Sequence, residues 1–204
     1  MILYLVRHGQ TAHNRDGVGL GRDDIPLTEL GEQQAAALGT LFAQRPLDRV
    51  ICSPLRRASE TAVALAGKSA VPLDVDPALT EMDVGATEGL SFAEMDVRFP
   101  EFLAAWRGDH PEDVDMPGGE SLRDVATRLE PLVARLRRGG PGTLVVVSHN
   151  FVLKVLLCEL LGLPLNQFRV FTIDVASLST ITIERGRLNI KALNDCCHLL
   201  GLEP

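Results

Sequence analysis

Cationic and imidazole side chains follow three short apolar runs of this sequence. Arg7 and His8 come directly after the first run, close to the N-terminus. One arginine of the pair Arg56 and Arg57 lies shortly after the second run, and His149 follows the third. Guanidinium groups offer planar, paired donors that match the oxygens of a phosphoryl group. A neutral imidazole can attack phosphorus and form a covalent intermediate. These residue types therefore predict an anion site suited to phosphoryl chemistry.

Such chemistry also needs a carboxylic acid, because an alkoxide leaving group has to receive a proton. The segment ALTEMDVGATEG reads as a loop, and it contains two carboxylates, Glu81 and Glu88. The pattern leaves two roles open for Glu88, which either assists Glu81 or caps a turn.

The apolar runs at residues 2–6, 50–52 and 143–147 predict the elements that position these side chains. Each run is short and β-rich, as is typical of a strand buried on both faces of a parallel sheet, and each leads through a polar turn into a helix. The carboxyl ends of parallel strands meet at one edge of a sheet, where open α/β folds bind their ligands. We therefore expect the three strand ends to converge. We further expect Gly9 to allow a sharp turn and a close approach by the ligand.

Several other hydrolytic motifs are missing from the sequence. It contains no G-x-S-x-G elbow, no G-x-x-x-x-G-K-[ST] loop and no H-E-x-x-H pair. Cys52 and Arg57 are one residue short of the C-x5-R spacing of cysteine phosphatases. The acidic cluster that begins at Asp109 does not follow a strand, so it predicts a solvated loop and not a metal site. These observations favour chemistry without a metal ion.

Composition excludes several further classes of protein. The 204 residues carry 20 Lys and Arg against 27 Asp and Glu, a formal charge of −7, which argues against a general nucleic-acid surface. No apolar run approaches the roughly 20 residues that span a bilayer, and no basic leader precedes an apolar core. Four cysteines form neither a disulfide framework nor a metal pattern. We therefore expect a cytoplasmic protein that binds neither nucleic acid nor membrane.

The remaining pattern predicts an α/β protein of one domain over residues 1–204. We expect a three-layer α/β/α sandwich with a mostly parallel sheet, closed by a C-terminal edge hairpin in which Arg185 and Gly186 form the turn. Thr28 is a predicted helix N-cap, and Ser91 with Glu94 fits a capping box. The capping box opens a small helical insertion at about residues 90–118, which we expect to form a cap.

The motifs themselves occur in a familiar order. The segment LYLVRHGQTAHN resembles the signature of the histidine phosphatase superfamily, in its phosphoglycerate-mutase-like branch and of the bacterial phosphatase type. The segments SPLRRASETA, LTEMDVGATEG, PGGES and VVVSHN are similar to the later blocks of that family. Together they cover most of the chain from residue 1 to about residue 155.

The resemblance implies a role for each matching residue. It makes His8 the phosphorylated nucleophile, Glu81 the proton donor and His149 a second histidine that contacts the transferred group. It implies phosphate contacts from three further side chains: Arg7, Arg57 and Asn14. It implies no metal and no cofactor.

Two positions depart from the family pattern. Asn150 stands where the family usually has glycine, so the backbone beside His149 is expected to differ slightly. The loop segment GVGLGRDD, residues 17–24, lacks the aromatic residue often found there, so we do not expect substrate contacts from it.

The predicted function is a metal-independent phosphatase of small phosphate monoesters that acts through phosphohistidine. Two alternatives stay open from the sequence: a cofactor-dependent phosphoglycerate mutase, and a binding or regulatory protein without significant turnover. The segment between Glu88 and Gly119 is acidic, which disfavours the bisphosphate of a mutase. The expected partner is a small phosphate ester, with a homodimer as the open alternative to a monomer.

Overall fold

Six strands form one sheet in the computed structural model, which describes residues 1–67 and 71–202. The strand order is β3-β2-β4-β1-β5-β6. The first four strands in that order run parallel, while β5 and β6 are antiparallel to their neighbours. The predicted mostly parallel sheet is confirmed. The strands are β1 Ile2–Arg7, β2 Arg49–Cys52, β3 Leu73–Val75, β4 Thr143–Ser148, β5 Leu178–Glu184 and β6 Arg187–Asp195.

Seven α-helices accompany the sheet in the described residues, together with short 3-10 turns. The α-helices are α1 Ala12–Asp16, α2 Glu29–Phe42, α3 Arg56–Ala66, α4 Phe92–Arg98, α5 Pro100–Trp106, α6 Leu122–Arg138 and α7 Asn150–Leu161. The 3-10 turns are Pro77–Leu79, Gly85–Thr87, Pro111–Asp113, Leu165–Val170 and Cys197–Leu199. None of the helices in this part of the chain is long and apolar enough to cross a membrane.

The predicted helix starts agree with the observed ones. The Thr28 hydroxyl accepts a hydrogen bond from the Gly31 amide at 3.1 Å, which satisfies a backbone donor at the start of α2. Ser91 and Glu94 form the expected capping box at α4, where the Ser91 amide donates to the Glu94 carboxylate at 2.8 Å. The α4 helix begins directly after this capping residue, and α5 follows it.

Alternate residues of β1 bury into opposite faces of the sheet. Leu3 and Leu5 belong to an apolar core that contains α6 and α7 residues, whereas Tyr4 and Val6 belong to a second core formed with α2 and α3. Fully burying an aliphatic side chain stabilises the fold by about 1.5–3 kcal/mol, so both faces of the strand hold it in the middle of the molecule. The predicted α/β/α layering is therefore confirmed.

The C-terminal hairpin closes one edge of the sheet. Arg185 and Gly186 both have positive φ, 51° and 76°, as the mirror-image turns of two-residue hairpins require. The turn places β6 at the outer edge, beside β5, as the sequence predicts.

Candidate active site

The two histidines of the motifs lie side by side at the carboxyl ends of β1 and β4. These strands pair in register, with Arg7 opposite Ser148, so His8 and His149 follow equivalent positions. The centroids of the two imidazole rings are 5.0 Å apart. Both side chains are buried, with exposures of 2% and 0%. The predicted convergence of strand ends is therefore present in the structure.

A hydrogen bond to its neighbour fixes the orientation of the His8 imidazole. The Nδ1 atom lies 2.7 Å from the Gly9 carbonyl oxygen. A carbonyl oxygen only accepts, so Nδ1 carries the proton and Nε2 keeps a free lone pair. Burial lowers the pKa of His8 well below its usual value, and the charges of Arg7 and Arg57 lower it further. The neutral, nucleophilic form of the ring is the stable one in this setting.

The glycine after His8 has a packing role that differs from the sharp turn predicted for it. Gly9 is not among the described residues with positive φ, so the turn does not depend on glycine. A Cβ atom at this position would lie 2.5 Å from the Gly31 carbonyl oxygen, in the first turn of α2. Glycine is needed here because that helix packs against the backbone that follows His8.

The arginines flank the histidines from two sides. Arg7 donates from Nη1 to the Ile173 carbonyl at 2.6 Å, and its buried Nε finds no partner within the described residues. Arg57 is fully buried and donates to the carbonyls of Gly21 and Asp23, at 2.6 and 2.7 Å. Burial lowers the pKa of both guanidinium groups.

The choice between Arg56 and Arg57 is settled by the direction each takes from α3. Arg57 points into the protein, and its Nε also lacks a partner in the part of the chain that is described. Arg56 turns outward and pairs with Glu60 one helical turn later, at 2.5 Å. Only Arg57 reaches the neighbourhood of the histidines.

Glu81 is held by backbone amides at the start of α7. Its carboxylate accepts hydrogen bonds from Met82 at 2.9 Å and from Phe151 and Val152, both at 3.3 Å. Burial raises the pKa of Glu81, while these amides and the charge of Arg57 act in the opposite direction. The net direction is upward, so the protonated form is accessible and the group is suited to donate a proton.

The role of Ser53 was not predicted from the sequence. Its Oγ lies 2.7 Å from Nε2 of His149 and also accepts a hydrogen bond from the Leu55 amide at 3.2 Å. The hydroxyl proton has no other acceptor among the described residues, so it goes to Nε2. His149 therefore carries its proton on Nδ1, a buried atom that lacks a partner in the same part of the chain. This nitrogen is a donor available to a ligand.

Asn14 presents its amide group to the site. The Oδ1 atom accepts hydrogen bonds from the backbone amide of Thr11 at 3.1 Å and from its hydroxyl at 2.9 Å, which cap α1. With the oxygen engaged, the side-chain NH2 is left to donate to a ligand. Asn14 lines the cavity beside His8, where the family motif implies a phosphate contact.

Glu88 holds the loop that follows α1. Its carboxylate accepts hydrogen bonds from the amides of Gly21, Arg22 and Asp23, at 2.5, 2.9 and 3.4 Å. Arg57 donates hydrogen bonds to carbonyl groups of the same loop. The two side chains therefore hold both the amides and the carbonyls of this loop. Of the two roles left open by the sequence, the capping role is the one observed.

A cavity of about 340 Å³ opens in front of these groups. Arg7, His8 and Glu81 lie on its wall, as does Asn150, whereas Arg57 and His149 are not among its lining residues. Residues 17–20, from the loop that lacks the family's aromatic residue, also line it. The remaining wall is mostly apolar, from the following side chains: Val84, Thr87, Leu90, Phe92, Met95, Phe102, Leu103, Trp106, Met116 and Phe151.

The other histidines lie outside this cavity wall. His110 is exposed beside Glu112, and Nε2 of His198 lies 3.0 Å from the Ala176 carbonyl. His13 is not among the lining residues either. Residues 1–67 and 71–202 contain no group of three or more His, Cys, Asp or Glu side chains placed to hold a metal ion.

The chain is similar over nearly its whole length to proteins of one family. The model of the histidine phosphatase superfamily (branch 1) matches residues 3–196. Phosphoserine phosphatase 1 of Hydrogenobacter thermophilus is 35% identical over 198 residues, which cover 97% of this chain and 93% of that protein. The adenosylcobalamin/alpha-ribazole phosphatase of Salmonella typhimurium is 37% identical, over 95% and 96% of the two chains. The crystal structure of the alpha-ribazole phosphatase from Shigella flexneri matches with a TM-score of 0.86 at 32% identity, over 96% of each chain.

Proposed function

Because the chain belongs to the histidine phosphatase superfamily and is a phosphoric monoester hydrolase, we propose that it cleaves small phosphate esters in two steps, through a phosphohistidine at His8. The resemblance found in the sequence is confirmed at the level of the family. The observation that carries the proposal is a set of buried nitrogen donors without partners near His8 within the described residues: Nε of Arg7, Nε of Arg57 and Nδ1 of His149.

In the first step, Nε2 of His8 attacks phosphorus while the bond to the ester oxygen breaks. The departing oxygen takes the proton of Glu81, so an alcohol leaves and Glu81 becomes a carboxylate. The N–H group at Nδ1 of His8 keeps its hydrogen bond to the Gly9 carbonyl oxygen, which stabilises the positive charge that develops on the ring. A protonated leaving group lowers the barrier most where the free alkoxide would be strongly basic.

In the second step, water attacks the phosphohistidine and the bond between phosphorus and Nε2 breaks. The Glu81 carboxylate takes a proton from that water, which restores the acid for the next turnover. Inorganic phosphate leaves and His8 returns to its neutral form. The same carboxyl group thus acts as acid and then as base, as its burial beside the amides at the start of α7 allows.

Charge on the transferred group is balanced by fixed donors. Arg7 and Arg57 supply two positive charges, and Nδ1 of His149 and the amide of Asn14 supply neutral donors. Donors held in place before the reaction stabilise the developing charge without reorganisation. We expect them to take the place of a metal ion.

Chelation is therefore expected to leave the activity unchanged. The enzyme would be dialysed against EDTA and assayed on 4-nitrophenyl phosphate, with an undialysed sample and a known metal-dependent phosphatase as controls. Phosphate release within twofold of the undialysed rate is expected, because the charge is balanced by Arg7 and Arg57. A loss that returns with zinc or magnesium would contradict the metal-independent mechanism. No phosphate release before or after chelation would contradict the proposed function.

Ser53 is expected to act as a positioning residue for His149. Loss of one hydrogen bond of this kind corresponds to roughly a tenfold loss of rate, so Ser53→Ala should lower kcat by about that factor while KM changes less. Without the hydroxyl donor, the proton of His149 is free to move to Nε2, and the pH profile of kcat should shift as well. Ser59→Ala is the matched control, because Ser59 is a partly buried serine on α3 whose hydroxyl bonds only the Arg56 carbonyl. An unchanged kcat and pH profile in Ser53→Ala would contradict this role.

The mutase alternative gains no support from the cap. Most of its acidic residues are exposed on the outer surface, where Asp96 pairs with Arg107 and Asp113 pairs with Arg123. The described cap residues contribute no basic side chain to the cavity wall, so nothing there would hold the second phosphate of a bisphosphate. Hydrolysis is expected to exceed isomerisation of 3-phosphoglycerate, measured as free phosphate against 2-phosphoglycerate.

We infer a cytoplasmic setting from the cysteines. All four are free, with Cys52 and Cys158 buried in separate parts of the chain, as expected in a reducing compartment. The homodimer considered from the sequence is tested by the sedimentation coefficient of the purified protein.

A further inference from the structure

The cavity changes character abruptly beyond the catalytic groups. Arg7 and Glu81 are the only charged residues on the described wall, and the proposed reaction uses both of them. Outside the catalytic end, the polar side chains are Thr87 and Asn150. The Thr87 hydroxyl already donates to the Val84 carbonyl at 2.7 Å. The wall therefore offers almost nothing to a charged group on the alcohol part of a substrate.

Four segments of the chain make this wall apolar. Val18 and Leu20 come from the loop after α1, and Val84 and Leu90 come from the loop after Glu81. The cap and α7 provide the rest: Phe92, Met95, Phe102, Leu103, Trp106, Met116 and Phe151. Because these residues are far apart in sequence, the apolar surface is a property of the folded site and not of one helix.

The aromatic part of the wall is braced from behind. The ring of Trp106 stacks on Phe102 at a centroid distance of 6.0 Å and touches Phe151 edge-on, also at 6.0 Å. Arg169 donates to the Trp106 carbonyl at 2.5 Å, and its guanidinium lies 5.5 Å from the centroid of the Trp106 ring. These contacts fix the aromatic side chains before a ligand binds. Binding therefore does not carry the entropy cost of ordering them.

We propose that this site selects phosphate monoesters whose alcohol part is uncharged and apolar, such as long alkyl and arylalkyl phosphates. The inference deepens the proposed function and rests on it. Phosphate monoesters of hydroxyamino acids and hydroxy acids are disfavoured. Their ammonium or carboxylate groups would lose water without gaining a partner on the wall. The apolar side chains of the cap are the residues that determine specificity.

A series of primary alkyl phosphates separates this effect from the chemistry. Ethyl, butyl and hexyl phosphate have leaving groups of similar basicity, so the bond-breaking step is nearly constant along the series. Burial of one methylene group corresponds to an increase in binding affinity of about fourfold. We therefore expect kcat/KM to rise about three- to fourfold per methylene group until the cavity is filled. Phosphoserine and 3-phosphoglycerate should fall about 100-fold or more below hexyl phosphate. 4-Nitrophenyl phosphate is measured in parallel as a general substrate.

A matched pair of variants tests which side chains are responsible. Phe102 lines the cavity, whereas Phe99 lies in the same cap, is also partly buried and is not part of the wall. Phe102→Ala should lower kcat/KM for hexyl phosphate about tenfold and flatten the dependence on chain length, while Phe99→Ala should retain the wild-type dependence. Thermal unfolding of both variants checks that the cap remains folded.

The outcomes distinguish this inference from the function on which it rests. A rise with chain length that Phe102→Ala flattens would support it. Phosphate release from every ester, with no dependence on chain length or with phosphoserine or 3-phosphoglycerate as the best substrate, would overturn the inference and leave the phosphatase intact. No release from any ester, 4-nitrophenyl phosphate included, would overturn the proposed function and the inference together.

Discussion

Replacing His8 with alanine is expected to lower kcat for every phosphate monoester by about 10⁴-fold or more. Loss of the nucleophile in a covalent hydrolase costs on the order of 10⁶ in kcat, and the described residues of the cavity wall include no second histidine and no cysteine. Of the two adjacent imidazoles, only that of His8 has a free lone pair, on Nε2. In His149, Nε2 accepts a hydrogen bond from the Ser53 hydroxyl, so Nδ1 carries the ring proton. The measurement is released phosphate under saturating 4-nitrophenyl phosphate.

The control for this variant is His110→Ala, since His110 is exposed and lies outside the cavity wall. It should retain wild-type kcat, and circular dichroism should show that both variants are folded. Acid-quenched protein should carry phosphate on histidine in the wild type and none in His8→Ala. A variant that keeps a tenth of the wild-type turnover would rule out covalent catalysis at this residue.

Replacing Glu81 with glutamine is expected to lower the rate by about 10²–10⁴-fold for alkyl phosphates and much less for aryl phosphates. The difference arises because an alkoxide needs the proton of Glu81, whereas a nitrophenolate leaves without one. The pair to compare is hexyl phosphate and 4-nitrophenyl phosphate, each measured as kcat/KM. Glu130→Gln, an exposed residue on α6, is the control and should change neither value.

The same variant should change the pH dependence. Burial raises the pKa of Glu81, and the protonated form is the active one, so kcat/KM for hexyl phosphate should fall as the pH rises through that raised pKa. The pKa of His8 is lowered, and its neutral form is the active one. The acidic limb of the pH profile should therefore lie below the usual pKa of histidine. Glu81→Gln should lose the alkaline limb and keep the acidic one. Equal losses on both substrates with an unchanged profile would mean that Glu81 is not the acid.

Local patterns were enough to predict most of the fold. A strand buried on both faces needs an unbroken apolar run, and a helix start needs a side chain that satisfies its free amides, so β1 and the Thr28 cap are encoded within a few residues. The convergence of Arg7, His8 and His149 follows from the same rule, because the ends of neighbouring parallel strands have to meet. The family blocks then identified Arg57 and Glu81 as members of the site.

Contacts between distant segments could not be predicted in this way. Ser53 lies 96 residues from His149 in sequence, and no periodic pattern links a hydroxyl to the ring that it orients. Glu88 is a carboxylate in a loop, and only the folded structure brings the amides of Gly21 and its neighbours to it. The packing role of Gly9 was missed for the same reason, since the helix that passes over it begins about twenty residues later.

The sequence by itself determined the chemistry of this protein, because the strand ends and their reactive side chains are specified by short-range patterns of burial and residue type. Tertiary structure alone decided the protonation of His149, the clamping of the loop by Glu88 and Arg57, and the apolar wall of the cavity. The sequence showed an acidic cap, but most of its charges turn outward, while the rings of Phe102 and Trp106 turn inward. A charged side chain keeps its water on the outer surface and an apolar one loses contact with water on the inner surface, so the direction of each depends on what the cap covers.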